Sequence, residues 1–523
     1  LLRDVECQAD MKDACEHMMR ALRVIRRDTL RHTGPAVTFK YFYEAGFAWL
    51  GAETMYGSLE PLMAFLRGAS KAYGKDRMGV HLALQWSSYP HDTPRRFRRY
   101  LLSLLLPYLH GATDFNTEEG WIHMEMGYDS FDRFSDACRQ TGAQEQRFFR
   151  YVRSHARTGR FFTPIAFLHG RYDGWSGVAG NRVFGMPHMR VAEPEASWAV
   201  LKLFYPLCHV SPTGLFGVRS IDFPTEQDAQ TPRGFFSGTP HGNVDVIPIE
   251  NGAFSEYSVL CFAGYNAAEP TDLDRLLTFI RAGGTLVGCW PHFASTTDRA
   301  DILEENFRYL EHPLTALLSD GAPRFRQAHR NDMPIRICEN PPKQAQVLLR
   351  TDEGDPLVCE IPAGAGRIVL LNAASYPGNE AIRPDYERLI LSLQEQLAAC
   401  ADTQIFCGDD VEYSVFRQSD GTLHYYLTPV DWYRDPEPLR KADFRMGDET
   451  YILRLPFGSI TKLITTGRAA AWSSAENLDL LSIEGEQVRV QGRGQAELHI
   501  LANGTARSYR LDFDAQNVQT IPL

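Results

Sequence analysis

The sequence has no run of about 18 apolar residues, so it offers no membrane-spanning helix. The longest apolar stretch, 101–109, is half that length and reads as a buried helix. No CxxC pair occurs among the ten cysteines. They are scattered and read as free buried thiols, not disulfides, which suits a reducing compartment. No signal peptide is recognised after Leu1, so the expected location is the cytoplasm. There is no HxH and no HExxH, and His81, His91, His110 and His123 stand apart in sequence, so no zinc site and no other cofactor is expected. No basic block offsets the net charge of −11, which argues against nucleic acid as a partner. The densest cationic cluster, Arg95, Arg96, Arg98 and Arg99, opens a helical segment and reads as a solvated or ion-paired face. Neither a low-complexity linker nor an internal repeat is present.

What is there is 523 residues, enough for about three domains of ~150 residues each. Residues 1–33 carry apolar side chains at three- and four-residue steps and predict one long helix, stopped by Gly34-Pro35. The aromatic run 37–43 reads as a strand or a loop. Three short apolar runs follow, at 47–52, 79–84 and 111–117, separated by helix-like segments at 59–73 and 93–108. That alternation predicts parallel strands in a (β/α)8-type barrel. Small residues at 67–70 suit close packing of the first helix on that barrel. Only three or four strands precede residue 160, so 1–158 reads as the C-terminal half of a barrel that needs eight.

From Phe161 the pattern changes to a second α/β layer, open and doubly wound, over 159–402. Its strands are read at 161–170, 245–248, 257–264, 285–290, 345–349, 357–360 and within 364–371, with helices at 195–207, 270–281 and 385–399. Gly364-Ala365-Gly366 precedes its strand, so it reads as a hairpin turn and not as a dinucleotide fingerprint. From 403 to 523 the chain is all short strands, among them 487–490 and 496–501, with turns at 419–421 and Asn503-Gly504. This predicts a small β-sandwich.

Active sites of parallel barrels are built where the strands end. The first run delivers Glu53, the second Gln85-Trp86, and the third Asn116 followed by Glu118, Glu119 and Trp121. Two carboxyl groups flanking a bond are what glycoside hydrolysis needs, and Glu53 and Glu119 are the best pair. Glu118 is the weaker neighbour, because adjacent residues on a strand point opposite ways. Trp86 and Trp121 can stack on sugar C–H faces. Gln85 and Asn116 can hydrogen-bond hydroxyls. Tyr41, Asp173 and Trp175 are candidates to line the cleft from loops, and Asp114 reads as structural.

The order of parts resembles the family 42 β-galactosidases and their relatives among the clan A glycoside hydrolases. The resemblance rests on the run Thr163-Pro164-Ile165-Ala166-Phe167-Leu168, the segments 257–264, 276–287 and 364–371, and the closing strands. It implies an amidotransferase-like trimerisation domain in the middle of the chain, and hence a homotrimer. It also implies hydrolysis of a terminal β-linked sugar by a retaining mechanism, with Glu53 and Glu119 sharing the roles of nucleophile and acid/base. The clan's Asn-Glu pair has no counterpart: Glu305-Asn306 runs in reverse order. Cys289, with His292 three residues on, would mark an amidotransferase elbow but reads as a packing residue. Two other functions fit the same plan: a non-catalytic carbohydrate-binding or scaffold protein with a degenerate barrel, and a glycoside phosphorylase.

Overall fold

The computed structural model describes residues 10–26, 31–32, 36–54, 59–82, 94–117, 136–177, 182–184, 186–190, 194–206, 236–297, 307–432 and 439–523. Helix α1 (Met11–Ile25) is capped by Asp10, whose side chain accepts from the Asp13 N–H at 2.8 Å. It buries Met11, Cys15, Met19 and Leu22 along one face. The expected helix over 1–33 is therefore shorter. Its apolar stripe runs out at Ile25, and Arg26 turns to extended backbone. Arg31–His32 is instead a strand, β1, paired in parallel with β2 (Leu50–Glu53). Between them the aromatic run forms helix α2 (Phe39–Glu44), neither strand nor loop, because protein surrounds it and buries Phe39, Lys40, Tyr41 and Tyr43 together.

Helix α3 (Leu59–Ala72), β3 (Met78–Leu82), α4 (Pro94–Leu109) and β4 (Asp114–Thr117) complete a four-stranded parallel sheet in the order β1-β2-β3-β4. Helix α5 (Asp136–Ser154) packs on α4. The small residues of α3 do close a tight contact, but with another sheet. A Cβ on Gly68 would lie 2.0 Å from the Val246 carbonyl oxygen, so α3 is pressed against β9 (Asp245–Pro248) of the next layer. The arginine cluster on α4, expected as a solvated or ion-paired face, is only partly at the surface. Arg96 and Arg99 are buried, and Arg98 Nε donates to the Trp432 carbonyl at 3.0 Å.

Strand β5 (Arg160–Phe161) leaves the first layer and joins the C-terminal sheet, while β6 (Ile165–His169) enters the middle one. A two-stranded hairpin, β7 (Arg182–Val183) and β8 (Met186–Arg190), leads to α6 (Pro194–Trp198) and one 3-10 turn. After β9 come β10 (Val259–Phe262), α7 (Pro270–Arg281) and β11 (Thr285–Cys289). A hairpin of β12 (Phe325–Arg330) and β13 (Met333–Cys338) is followed by β14 (Gln346–Arg350), β15 (Pro356–Ala363), β16 (Gly366–Leu371) and α8 (Arg383–Ala399). The middle sheet has the order β14-β15-β16-β11-β10-β6-β9. Its five strands from β16 to β9 are parallel, and β14 and β15 run antiparallel at one edge.

Alternation along these strands builds two cores. Ile165, Phe167, Val259, Cys261, Val287 and Val369 face the side that carries α3 and α8. Ala166, Leu168, Leu260, Phe262, Leu286 and Ile368 face the side that carries α7. A near-continuous apolar run along each strand is what burial on both faces requires. The expected turn at Gly364-Ala365 joins β15 to β16, with Gly364 at φ +68°.

The C-terminal region is antiparallel throughout. A three-stranded sheet is formed by β17 (Thr403–Phe406), β20 (Arg440–Met446) and β21 (Glu449–Leu455). The larger sheet contains β18 (Val411–Arg417), β19 (Leu423–Pro429), β22 (Thr461–Thr465), β23 (Ala469–Ser473), β24 (Leu478–Glu484), β25 (Gln487–Ala502) and β26 (Thr505–Pro522), with β5 at its edge. The two sheets share a core of Ile405, Phe444, Leu453, Tyr425, Leu427 and Leu463. The strands expected at 487–490 and 496–501 are one strand, β25. An irregularity between Gly492 and Gly494 absorbs the glycines without ending the pairing. Asn503 and Gly504, both at positive φ, make its turn into β26. The eight cysteines among the described residues are all free thiols, and no described helix is long and apolar enough to cross a membrane.

Candidate active site

Strands β2, β3 and β4 run side by side in the same direction, and their register sets three polar residues level. Glu53 pairs with His81, and His81 pairs with Asn116. Paired residues of a parallel sheet project to one face. The row above, Gly51, Gly79 and Asp114, shares that face. The opposite face carries Ala52, Val80 and Phe115, and Phe115 meets Phe148 of α5 with ring centroids 5.0 Å apart. One face of the sheet is therefore apolar and covered by helices, and the other ends in a carboxylate, an imidazole and an amide at the C-terminal edge.

The row is ordered by contacts among its own members. Asn116 Nδ2 lies 3.2 Å from His81 Nδ1. An amide nitrogen only donates, so Nδ1 accepts and the imidazole keeps its proton on Nε2. His81 is buried, Glu53 is half-buried and Asn116 is exposed. The Thr54 N–H donates to the His81 carbonyl at 3.2 Å, which holds the end of β2 against β3. On β4 the Thr117 hydroxyl lies 3.1 Å from Tyr100 Oη, which donates to Glu145 at 2.6 Å and ties the strand end to α4 and α5. Asp114 serves structure: Arg77 hydrogen-bonds it, with Nη2 at 2.5 Å from Oδ1, and holds its carboxyl below the usual range.

The remaining candidates fall into two groups. Gln85, Trp86, Glu118, Glu119 and Trp121 lie outside the described residues, immediately beyond the ends of β3 and β4. Tyr41, Asp173 and Trp175 are brought together, around the end of β6 and not on the row. Tyr41 meets the His169 ring edge-on at 6.0 Å. Asp173 accepts from the Trp198 indole N–H at 3.0 Å and from the Trp175 backbone N–H at 3.2 Å. Trp175 stacks on Trp198 with centroids 6.1 Å apart. Burial pushes the Asp173 carboxyl up to about 6, against these donors. Phe65 of α3 packs against both His169 and Trp198.

Two features escaped the sequence. His81 sits inside an apolar run, and only the strand register places it level with Glu53. Lys40 is fully buried, donating to the Gly170 carbonyl at 2.6 Å and to Glu250 at 2.7 Å. Its signal was a lysine inside an otherwise aromatic run.

In the middle sheet, Cys289 is buried, and burial raises its thiol well above the usual range. Its N–H donates to His292 Nδ1 at 2.9 Å, and His292 Nε2 donates to the Gly264 carbonyl at 3.1 Å. Both ring nitrogens are thus committed to backbone, and neither is left to take a proton from the thiol. Among the described residues no three His, Cys, Asp or Glu side chains are grouped to hold a metal ion.

No protein-family model matches the sequence, and no curated protein does. By structure the chain is similar to GH42 β-galactosidases and to other glycoside hydrolases, at low identity. A catalytic mutant of the GH42 β-galactosidase from G. stearothermophilus aligns with 92% of this chain and 60% of its own length, at 11% identity and a TM-score of 0.43. The β-galactosidase of the Antarctic haloarchaeon Halorubrum lacusprofundi aligns with 82% of this chain and 62% of its own, at 13% identity and a TM-score of 0.47. An exo-β-1,4-mannosidase from Opitutaceae bacterium strain TAV5 aligns over 75% and 70%, at 12% identity and a TM-score of 0.38. The chain thus spans less than two thirds of the length of these two β-galactosidases.

Proposed function

We propose that this chain is a glycoside hydrolase that removes a terminal β-linked sugar, as a β-galactosidase does, by a retaining two-carboxylate mechanism. The observation that carries the reading is the row of Glu53, His81 and Asn116, level at the C-terminal edge of three parallel strands. In this reading the four-stranded sheet is the C-terminal portion of a (β/α)8 barrel and belongs to a domain over 1–158. Residues 159–402 form an amidotransferase-like domain through which the chain trimerises, and 403–523 form a β-sandwich.

Glu53 and Glu119 flank the scissile bond. One carboxylate attacks the anomeric carbon as the glycosidic C–O bond breaks, and the other carboxyl gives its proton to the departing oxygen. That second group then takes a proton from water, whose oxygen displaces the first carboxylate and releases the sugar. Asn116 and Gln85 hold sugar hydroxyls, Trp86 and Trp121 stack on its C–H faces, and Glu118 borders the cleft. Tyr41, Asp173 and Trp175 support that cleft from behind.

The test is hydrolysis of a panel of aryl glycosides by the chain and by its Glu53→Gln and Glu119→Gln variants. Activity on one sugar, reduced by a factor of about 10³ or more in each variant, is the expected result. A folded chain with no activity on any member of the panel overturns the reading.

A further inference from the structure

A cavity of about 550 Å³ lies far along the chain from the strand ends, between the last turn of α8, residues 240–243 and the strands β17, β18 and β19. Its size falls within the ~300–1,000 Å³ of small-molecule sites. Tyr413 and Tyr425 form one wall. Tyr413 opposes Leu427 and Tyr425 opposes Val415, so the two rings are diagonal neighbours on one face of the β18–β19 ladder. They are only 9% and 4% exposed. Tyr413 commits its backbone N–H to Thr239 and its carbonyl to Asn243. Neither hydroxyl has a hydrogen-bond partner among the described residues. Gly242 keeps the mouth open: a Cβ there would stand 3.0 Å from Tyr413 Oη.

The chemistry of the rest of the lining narrows the ligand. No lysine or arginine lines the cavity, and burial lowers the His241 imidazole, which stays neutral. Glu395, the carboxylate of the lining, disfavours an anionic ligand. Phe406 is 48% exposed at the rim, with the Arg445 guanidinium 5.6 Å from its ring centroid, and Gln394 and Gln404 stand beside it. Two unpaired hydroxyls and a half-exposed ring are complementary to a neutral molecule with both hydroxyls and C–H faces.

We propose that this cavity is a second carbohydrate site, which binds a neutral pyranoside without cleaving it. The choice of a sugar among neutral polyhydroxylated ligands rests on the glycosidase reading. Tyr413 and Tyr425 donate to or accept from ring hydroxyls, and Phe406 covers one face of the ring.

The experiment is titration of the full chain with methyl β-D-galactopyranoside and methyl β-D-glucopyranoside, followed by calorimetry and saturation-transfer NMR. Wild type is compared with Tyr413→Phe, Tyr425→Phe and Phe406→Ala, each checked for an unchanged melting temperature. Tyr→Phe removes only the oxygen, and Phe406 is a rim residue, so folding is expected to survive. We expect at least one of the two glycosides to bind, and each substitution to weaken it about fivefold or more. Binding that is unchanged in all three variants overturns the proposal, as does the absence of binding. Tighter retention of an apolar dye by the Tyr→Phe variants would also overturn it and mark an apolar ligand site. Aryl-glycoside hydrolysis is measured on the same samples. Hydrolysis with variant-insensitive binding sinks the second site alone, and variant-sensitive binding without hydrolysis sinks the glycosidase alone.

Discussion

Glu60 of α3 and Glu412 of β18 meet in a site closed to water. Glu60 is 0% exposed and Glu412 1%. Burial first, and for Glu60 the charge of Glu412 second, pushes both carboxyls well above the usual range. The surroundings explain why one proton must stay. Arg67 Nε and Lys71 Nζ bring two positive charges, and both bind Asp245, at 2.5 and 2.7 Å. Tyr257 also donates to Asp245, at 2.7 Å, and Tyr205 donates to the adjacent Val244 carbonyl at 3.3 Å. His110 is held neutral by burial and by Arg67, which donates to its Nδ1 across 3.1 Å. Its Nε2 stands 2.5 Å from Glu412 at an angle that makes no hydrogen bond. Two cations and Asp245 leave room for one ionised glutamate, not two. The pair keeps a proton that the unfolded chain, with glutamates near pKa ~4.3, releases at neutral pH. Folded-state pKa values raised above the unfolded value give stability that is complete at acid pH and is lost as pH rises. The slope is about 1.4 kcal/mol per pH unit for one proton. Glu412→Gln keeps the shape, supplies a permanent donor to Glu60, and removes that slope. As pH rises above the unfolded value, its advantage over wild type should grow, by at most about 1.4 kcal/mol per pH unit while the proton is kept. Urea unfolding at each pH, followed for the transition that separates α3 from β18, measures this. Parallel pH profiles for the two proteins would refute the shared proton.

Two further substitutions probe the same junction. Gly68→Ala puts a methyl 2.0 Å from the Val246 carbonyl oxygen, where backbone on both sides blocks relief; a loss of about 1–3 kcal/mol is expected in thermal unfolding, and no loss would mean that α3 does not press on β9. Asp245→Asn leaves Arg67 and Lys71 without their counter-charge. It should cost about 3–5 kcal/mol, read by denaturant midpoint. Asp245 is itself held well below the usual carboxylate range, chiefly by Lys71 and Arg67 acting against burial. That depressed pKa contributes stability present above the unfolded value of ~3.9 and lost as pH falls. A variant as stable as wild type at pH 7 would show that the cations are balanced elsewhere.

Much of the candidate row was legible. Glu53 and Asn116 follow short apolar runs between helices, and polar residues at such places mark strand ends. His81 was not, because its run reads as uniformly apolar on both sides of it. Parallel partners are joined by crossovers whose length fixes no register. Glu53 and His81 become neighbours only when α3 has packed. The same argument covers the two errors at the front of the chain. The arginines after Ile25 look helical by spacing alone, and nothing local says that Arg31 will pair with Leu50. The aromatic run 37–43 has strand composition, and its burial on all sides is what makes it a helix.

The sequence by itself determined what depends on near neighbours. The near-continuous apolar runs of β6, β10, β11 and β16 require burial on both faces, and it is met by two cores. Helix α7 begins where Pro270 and the Glu269–Asp272 capping box fall, and it ends before Gly283. Gly364-Ala365 and Asn503-Gly504 are turns because their backbone reaches positive φ at little cost. The tertiary structure alone decided which layers touch. Gly68 looked like a helix residue suited to its own sheet and serves another. Arg67, Asp245 and Glu412 lie 167 and more residues apart and meet in one buried site. Buried charge is tolerated only where partners from distant segments balance it, so no local pattern announces it. The physical reason is the same for the row and for the junction: spacing along a chain fixes which face a side chain takes, and packing between chain segments fixes what it meets there.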